Sequence, residues 1–88
     1  MIKKIIQINN KSGLHARPAA HLVKVSGQFT SDIKILKDGL EVNCKSIMGV
    51  MMLAAEPGSE LEFVIEGEDE QQAMAGILEL IEKKFYEE

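Results

Sequence analysis

The stretch ELEFVIE, Glu60–Glu66, shows the clearest strand pattern in the chain. Successive side chains of a strand point to opposite faces of its sheet, so Leu61, Phe63 and Ile65 would face a core. The residues that alternate with them, which would lie on the opposite face, are Glu60, Glu62, Val64 and Glu66. A strand of this kind belongs to a sheet that is covered on one face. The stretch therefore predicts a single sheet with helices packed on one side.

Three other segments are predicted as strands of the same sheet. Their apolar residues are β-branched or recur with period two, which is typical of strands. They are residues 2–8, the segment with Ile33, Ile35 and Leu36, and the segment with Leu40, Val42 and Cys44. Asp38-Gly39 separates the last two segments, and this dipeptide favours a two-residue hairpin turn.

Two longer segments have helical spacing. In residues 16–26, four apolar side chains fall within about 100° of one another: Ala16, Ala19, Ala20 and Val23. Gly27 would then be the left-handed residue after the helix. A second helix is predicted after Asp69, where Gln72 would complete a capping arrangement. The apolar residues that it would bury are Ala73, Met74, Ile77, Leu78, Ile81 and Phe85.

With a short helix after Ser46, the element order becomes βαββαβα. This order predicts one α+β domain over residues 1–88, with no internal repeat or linker. It does not fix the order of the strands in the sheet, because a ferredoxin-like split βαβ pattern begins in the same way.

Composition excludes several classes of protein. The chain of 88 residues has 10 Lys and Arg against 14 Asp and Glu, a net charge of −4, which argues against non-specific nucleic-acid binding. No apolar run approaches the roughly 20 residues of a membrane span, and the first residues do not resemble a signal peptide, so we expect a cytoplasmic protein without membrane insertion. Few aromatic residues are present to enclose a cofactor, and we expect none.

The segment Ser12–Pro18, SGLHARP, is the first candidate for chemistry. His15 stands where a loop becomes a helix, and a helix N-terminus presents unpaired N–H groups that suit an anion. Arg17 adds a permanent cation two residues later. An imidazole between these groups is suited to carry a phosphoryl group. The same pattern is also typical of a capping histidine beside a solvated arginine.

His21 and Cys44 are weaker candidates. His15 and His21 are six residues apart, about 240° around a helix, so they cannot chelate one ion there. We expect no metal site and interpret His21 as a surface or boundary residue. Cys44 is the single cysteine, so it cannot form an internal disulfide or a cysteine-based zinc site. Its inward period predicts a buried, unreactive thiol.

A second informative segment begins at Lys45. Ser46 is predicted to be the N-cap of a short helix, and the residues after it are apolar on every face. A small domain can cover only one side of such a helix, so part of the set Ile47, Met48, Met51 and Met52 must be exposed and is typical of a partner-docking surface. Lys11, Arg17, Lys24 and Lys45 lie near the two segments and predict a locally positive face.

Together, GLHARPA at Gly13–Ala19 and KSIMGVM at Lys45–Met51 resemble the active-site and regulatory-serine signatures of the HPr family. These proteins are phosphocarriers of the bacterial phosphoenolpyruvate-dependent phosphotransferase system. The resemblance covers essentially the whole chain. It implies an open-faced β-sandwich of four antiparallel strands with three helices on one face. The protein would then be a stoichiometric transfer protein rather than a turnover enzyme.

The resemblance also implies roles for individual residues. His15 would accept phosphoryl from phosphorylated Enzyme I through Nδ1 and pass it to EIIA domains, with Arg17 as its electrostatic partner. Ser46 would be a possible target of HPr kinase/phosphorylase. We expect a monomer whose docking residues are Ser12, Ala16, Ala20, Lys24, Ile47, Met48, Met51 and Met52.

Two alternatives remain open. Ala54 stands where many sugar-transport members have glycine, and the run Met51–Ala55 is more similar to the nitrogen-related branch, NPr. A regulatory phosphocarrier of that branch is therefore the alternative to sugar uptake. A purely regulatory adaptor, controlled by the state of Ser46, is the other alternative.

Overall fold

The computed structural model describes residues 1–86 and has the predicted order of elements. The strands and helices are β1 (Ile2–Gln7), α1 (Ala16–Ser26), β2 (Asp32–Lys37), β3 (Leu40–Asn43), α2 (Ile47–Met52), β4 (Glu60–Glu66) and α3 (Glu70–Glu82). A 3₁₀ turn, Lys84–Tyr86, follows α3.

The four strands form one antiparallel sheet in the order β1-β4-β2-β3. In β4 the side chains of Leu61, Phe63 and Ile65 are fully buried, as the alternation predicts, while Glu60 and Glu66 are exposed. The helices cover the face to which the buried residues point. The sheet with three helices on one face is an open-faced β-sandwich.

The hairpin between β2 and β3 follows from its sequence. Asp38 and Gly39 both have positive φ, 50° and 84°, which is the geometry of the turn that Asp-Gly favours. Lys37 pairs with Leu40 across it. Leu40 is 39% exposed because it lies at the end of an edge strand. Cys44 follows β3 and is fully buried, as its period predicts.

The buried face of α1 differs from the predicted one. The residues that reach the core are Pro18, Ala19, Leu22 and Ser26. Ala16 and Ala20 are exposed, and Val23 is half-buried. Gly27 is not left-handed, since its φ is −68°. The chain continues in right-handed turns because Gln28 N donates to Val25 O and Phe29 N donates to Ser26 O.

Both ends of α3 also differ from prediction. Asp69 precedes the helix but its side chain makes no cap, because the carboxylate accepts hydrogen bonds from Thr30 and Ser31 in the loop before β2. The helix ends at Glu82, so Phe85 is buried from the 3₁₀ turn, with φ 58°, and not from the helix. The buried helical residues are Ala73, Met74, Ile77, Leu80 and Ile81, while Leu78 is half-buried.

Candidate functional site

His15 is the N-cap residue of α1, with extended backbone angles and an exposed side chain. The two residues before it are buried and hold the loop in place. The side chain of Asn10 donates to Gly13 O at 2.8 Å, and Leu14 N donates to Ala55 O at 2.9 Å. The imidazole therefore projects from a backbone that is fixed on its N-terminal side.

The imidazole makes no capping hydrogen bond. Pro18 has no N–H, and Ala19 N donates to His15 O at 2.8 Å. The N–H groups of Ala16 and Arg17 are therefore left at the helix start without an intrahelical acceptor. An anion beside His15 would meet these donors and the positive end of the helix dipole.

Arg17 lies in the first turn of α1 and is exposed. No ion pair within residues 1–86 involves it. Its guanidinium is therefore available to an anion carried by His15, which lies two residues before it. A planar fork of N–H donors is well matched to phosphate oxygens.

A shallow pocket of about 430 Å³ opens beside His15. Its walls come from the loop before α1 and from the end of α2 with the residues that follow it: Leu14, His15, Met51, Ala54, Ala55 and Glu56. Sequence analysis did not predict Ala55 or Glu56 at this site. Gly13 was the available signal, because its positive φ of 68° accompanies a close approach to the main chain of Ala55 and Glu56.

Ser46 is the N-cap of α2, as predicted. Its hydroxyl oxygen accepts a hydrogen bond from Gly49 N at 3.1 Å, and the side chain is exposed. Lys45 is less available than the sequence implied, because its ammonium donates to Phe29 O at 2.7 Å and the side chain is half-buried.

The surface of α2 carries an exposed apolar patch, which we define as Ile47, Met48, Met51 and Met52. These side chains are 41%, 73%, 43% and 66% exposed, whereas Val50 is fully buried. Met51 also lines the pocket beside His15, so the patch is continuous with the site. Among the other predicted docking residues, Ala16, Ala20 and Lys24 are exposed and Ser12 is half-buried.

His21 and Cys44 are engaged elsewhere. The Nδ1 atom of His21 lies 3.1 Å from Phe85 O, and its ring meets Tyr86 edge to face. Burial raises the pKa of the Cys44 thiol to about 12, although the thiol lies 3.0 Å from the Ser26 hydroxyl.

Within residues 1–86, no three His, Cys, Asp or Glu side chains are grouped to hold a metal ion. Nor is any helix in that range long and apolar enough to cross a bilayer.

Known proteins share both the sequence and the fold. The family described as "PTS HPr component phosphorylation site" matches residues 2–83. The phosphocarrier protein HPr of Treponema pallidum (strain Nichols) is 49% identical over 88 residues, which cover all of both proteins. The crystal structure of HPr-C-His from Thermoanaerobacter tengcongensis has a TM-score of 0.96 and 46% identity, covering 100% of this chain and 99% of that one.

A second crystal structure from that organism contains an HPr dimer. It has a TM-score of 0.78 and 46% identity, and the match covers 97% of this chain and 98% of the other.

Proposed function

The chain belongs to the HPr family of phosphocarrier proteins of the phosphotransferase system, and from this premise we propose that His15 is its phosphoryl acceptor. The group would come from phosphorylated Enzyme I and pass to EIIA-type domains. The observation that carries the proposal is an exposed imidazole, not used as a cap, at the start of an 11-residue helix and two residues from Arg17.

The transfer is a substitution at phosphorus. The lone pair of His15 Nδ1 forms the new N–P bond while the bond from phosphorus to Enzyme I breaks, and the donor atom of Enzyme I keeps that electron pair. Nε2 of His15 retains its proton, so the ring becomes cationic and offsets part of the phosphoryl charge. Transfer to an EIIA domain reverses these changes at His15.

The surroundings of His15 would stabilise the group in transit. The N–H groups of Ala16 and Arg17 offer hydrogen bonds to phosphoryl oxygens, and the Arg17 guanidinium offers a charge-assisted pair. Because the helix backbone holds the two N–H groups in place before the phosphoryl group arrives, these donors need little reorganisation during transfer. We expect Arg17→Gln to reduce the transfer rate on the order of 10- to 100-fold, as for the loss of one hydrogen bond to a charged group.

The test is incubation with Enzyme I and phosphoenolpyruvate, followed by analysis of the label. We expect an acid-labile, base-stable phosphohistidine that is lost in His15→Ala. His21→Ala is the matched control, because it removes the other histidine and should still be labelled. Equal labelling of wild type and His15→Ala would overturn the proposal.

Docking to both partners would use the apolar patch together with Ser12, Ala16, Ala20 and Lys24. Exposed methionines adapt to different partners because they repack easily.

We propose that the chain works as one cytoplasmic domain and as a monomer, since His15 and the patch lie on the same chain. Light scattering during gel filtration tests this, and a dimer, as in the HPr dimer from Thermoanaerobacter tengcongensis, would correct it.

Ser46 is the proposed regulatory position, and HPr kinase/phosphorylase is the proposed partner. A phosphate there would place nearly two negative charges at the edge of the apolar patch, where they would oppose docking by desolvation and by repulsion from acidic partners. Ser46→Asp should weaken binding to Enzyme I, whereas Ser46→Ala should not. Unchanged affinity of Ser46→Asp in a titration would contradict electrostatic regulation at this surface and, with it, the alternative of a Ser46-controlled adaptor.

The nitrogen-related branch remains the second candidate. The observation in its favour is that Ala54 stands where many sugar-transport members have glycine. The φ of Ala54 is 49°, a backbone conformation that glycine adopts more easily than alanine does. Phosphoryl transfer from the labelled protein to sugar-type and nitrogen-type EIIA domains separates the two. Preferential transfer to the nitrogen-type domain would assign the regulatory branch.

A further inference from the structure

Building on the proposed transfer through His15, we propose that Glu56 opposes the phosphoryl group on His15 electrostatically and so favours its onward transfer. Glu56 lines the same pocket as His15. A phosphoryl group on the imidazole would add about two negative charges beside a carboxylate. Glu56 touches neither the imidazole nor the phosphorus in this scheme and acts through the charge that it places beside them.

The backbone fixes Glu56 in this place. Glu56 N donates to the Ser59 hydroxyl at 3.0 Å, and a Cβ at position 13 would lie 3.1 Å from the Glu56 Cα. The chain around Glu56 is therefore packed against the loop that leads into His15. The Glu56 side chain is exposed, and within residues 1–86 no cation is paired with it. Its charge is not neutralised by a neighbour in that range.

A phosphoryl carrier must bind the phosphoryl group and also release it to an acceptor, and the charges around His15 serve both needs. The N–H groups at the start of α1 and the Arg17 guanidinium stabilise a phosphoryl group on His15, and a site with those groups alone would hold it too firmly. The negative charge of Glu56, which lines the same pocket, raises the free energy of the phosphorylated state. The phosphoryl group then remains transferable to an acceptor while the positive groups still assist its arrival.

The size of the effect follows from Coulomb's law in a solvated site. Charges a few ångströms apart in water interact by about 1 kcal/mol, which corresponds to about a fivefold change in an equilibrium constant. We therefore expect Glu56→Gln to shift the phosphoryl exchange equilibrium with Enzyme I about two- to fivefold toward the phosphorylated carrier. The shift should diminish at 1 M salt, where the Debye length is about 3 Å.

The control is Glu66→Gln. It makes the same change of charge on the outer face of the sheet, where Glu66 is exposed at the end of β4. We expect this variant to match wild type. Equal exchange equilibria for wild type, Glu56→Gln and Glu66→Gln would overturn the proposal, and so would equal shifts in the two variants.

A second measurement does not depend on Enzyme I. Phosphoramidate transfers phosphoryl to histidine without an enzyme, and ³¹P NMR then follows the second ionisation of the phosphoryl group. The His15→Ala variant identifies which signal belongs to His15. Removing the Glu56 charge should move this ionisation to lower pH, because the dianion is no longer repelled. A titration identical to wild type would overturn the proposal. By contrast, failure of Enzyme I to phosphorylate wild type would refute the proposed function and leave this measurement intact.

Discussion

The backbone N–H of Leu14 donates a hydrogen bond to the carbonyl oxygen of Ala55 at 2.9 Å. This bond joins the loop before α1 to the segment after α2, so the fold connects the position of His15 with that of the apolar patch. At this point the backbone at Gly13 packs directly against the backbone of Ala55 and Glu56. The residue before Leu14 therefore has no space for a side chain.

Gly13→Ala tests this close approach. A Cβ at Gly13 would overlap the carbonyl oxygen of Ala55, and φ there is 68°. Left-handed backbone costs about 1–2 kcal/mol for a residue with a Cβ, and overlap in a packed region adds about 1–3 kcal/mol. We expect the free energy of unfolding to fall by about 2–5 kcal/mol in urea denaturation.

Gly39→Ala is the matched control for that substitution. Gly39 also has positive φ, 84°, but no atom lies within 4 Å of an added Cβ. Only the backbone cost of about 1–2 kcal/mol should appear. Equal losses in the two variants would show that steric overlap at Ala55 contributes nothing.

The parts of the fold predicted from sequence are those that local patterns decide. The alternation in Glu60–Glu66, the turn at Asp38-Gly39 and the cap at Ser46 each depend on neighbouring residues, and all three are confirmed. The predicted helix cap at Asp69 was wrong because the hydrogen-bond partners of its carboxylate come from a loop that is distant in sequence. Glu56 was missed for the same reason, since nothing within its own segment indicates that it packs beside the His15 loop.

The Asp69 carboxylate makes stability depend on pH. Hydrogen bonds from the Ser31 hydroxyl and from the backbone of Thr30 lower the pKa of Asp69 from 3.8 to about 2. Because the pKa is lower in the folded state, the stabilisation is present above about pH 4 and is lost as the pH falls toward 2. In urea titrations, Asp69→Asn should be less stable than wild type at pH 6, and the two should converge near pH 2.

Ser31→Ala provides the check on this explanation. It removes the hydroxyl that contributes most to the lowered pKa while leaving the backbone donors in place. The difference in stability between pH 6 and pH 2 should be smaller than in wild type but larger than in Asp69→Asn. A pH profile for Asp69→Asn parallel to that of wild type would contradict the assignment.

Ala54→Gly should stabilise the protein. Ala54 has φ 49° and is exposed, so its Cβ is strained and contributes no buried area. Relief of the strain exceeds the entropy that glycine gains in the unfolded chain, and we expect a gain of about 0.5–1 kcal/mol in urea denaturation. Ala20→Gly, at an exposed position within α1, should instead lose about 1 kcal/mol. A loss in both variants would refute the strain at Ala54.

Substitutions in the apolar patch should separate docking from stability. Met48 and Met52 are 73% and 66% exposed. Met48→Gln and Met52→Gln therefore remove little buried surface and should change the free energy of unfolding by less than about 0.5 kcal/mol. If these side chains become buried against Enzyme I, each substitution should weaken binding by about 1–2 kcal/mol, or roughly 5- to 30-fold in Kd, by calorimetry. Val50 lies on the same helix but is fully buried. Val50→Ala should lower the free energy of unfolding by about 1–3 kcal/mol with a smaller effect on Kd. Unchanged Kd in both methionine variants would remove this patch from the docking surface, because their fold would be intact.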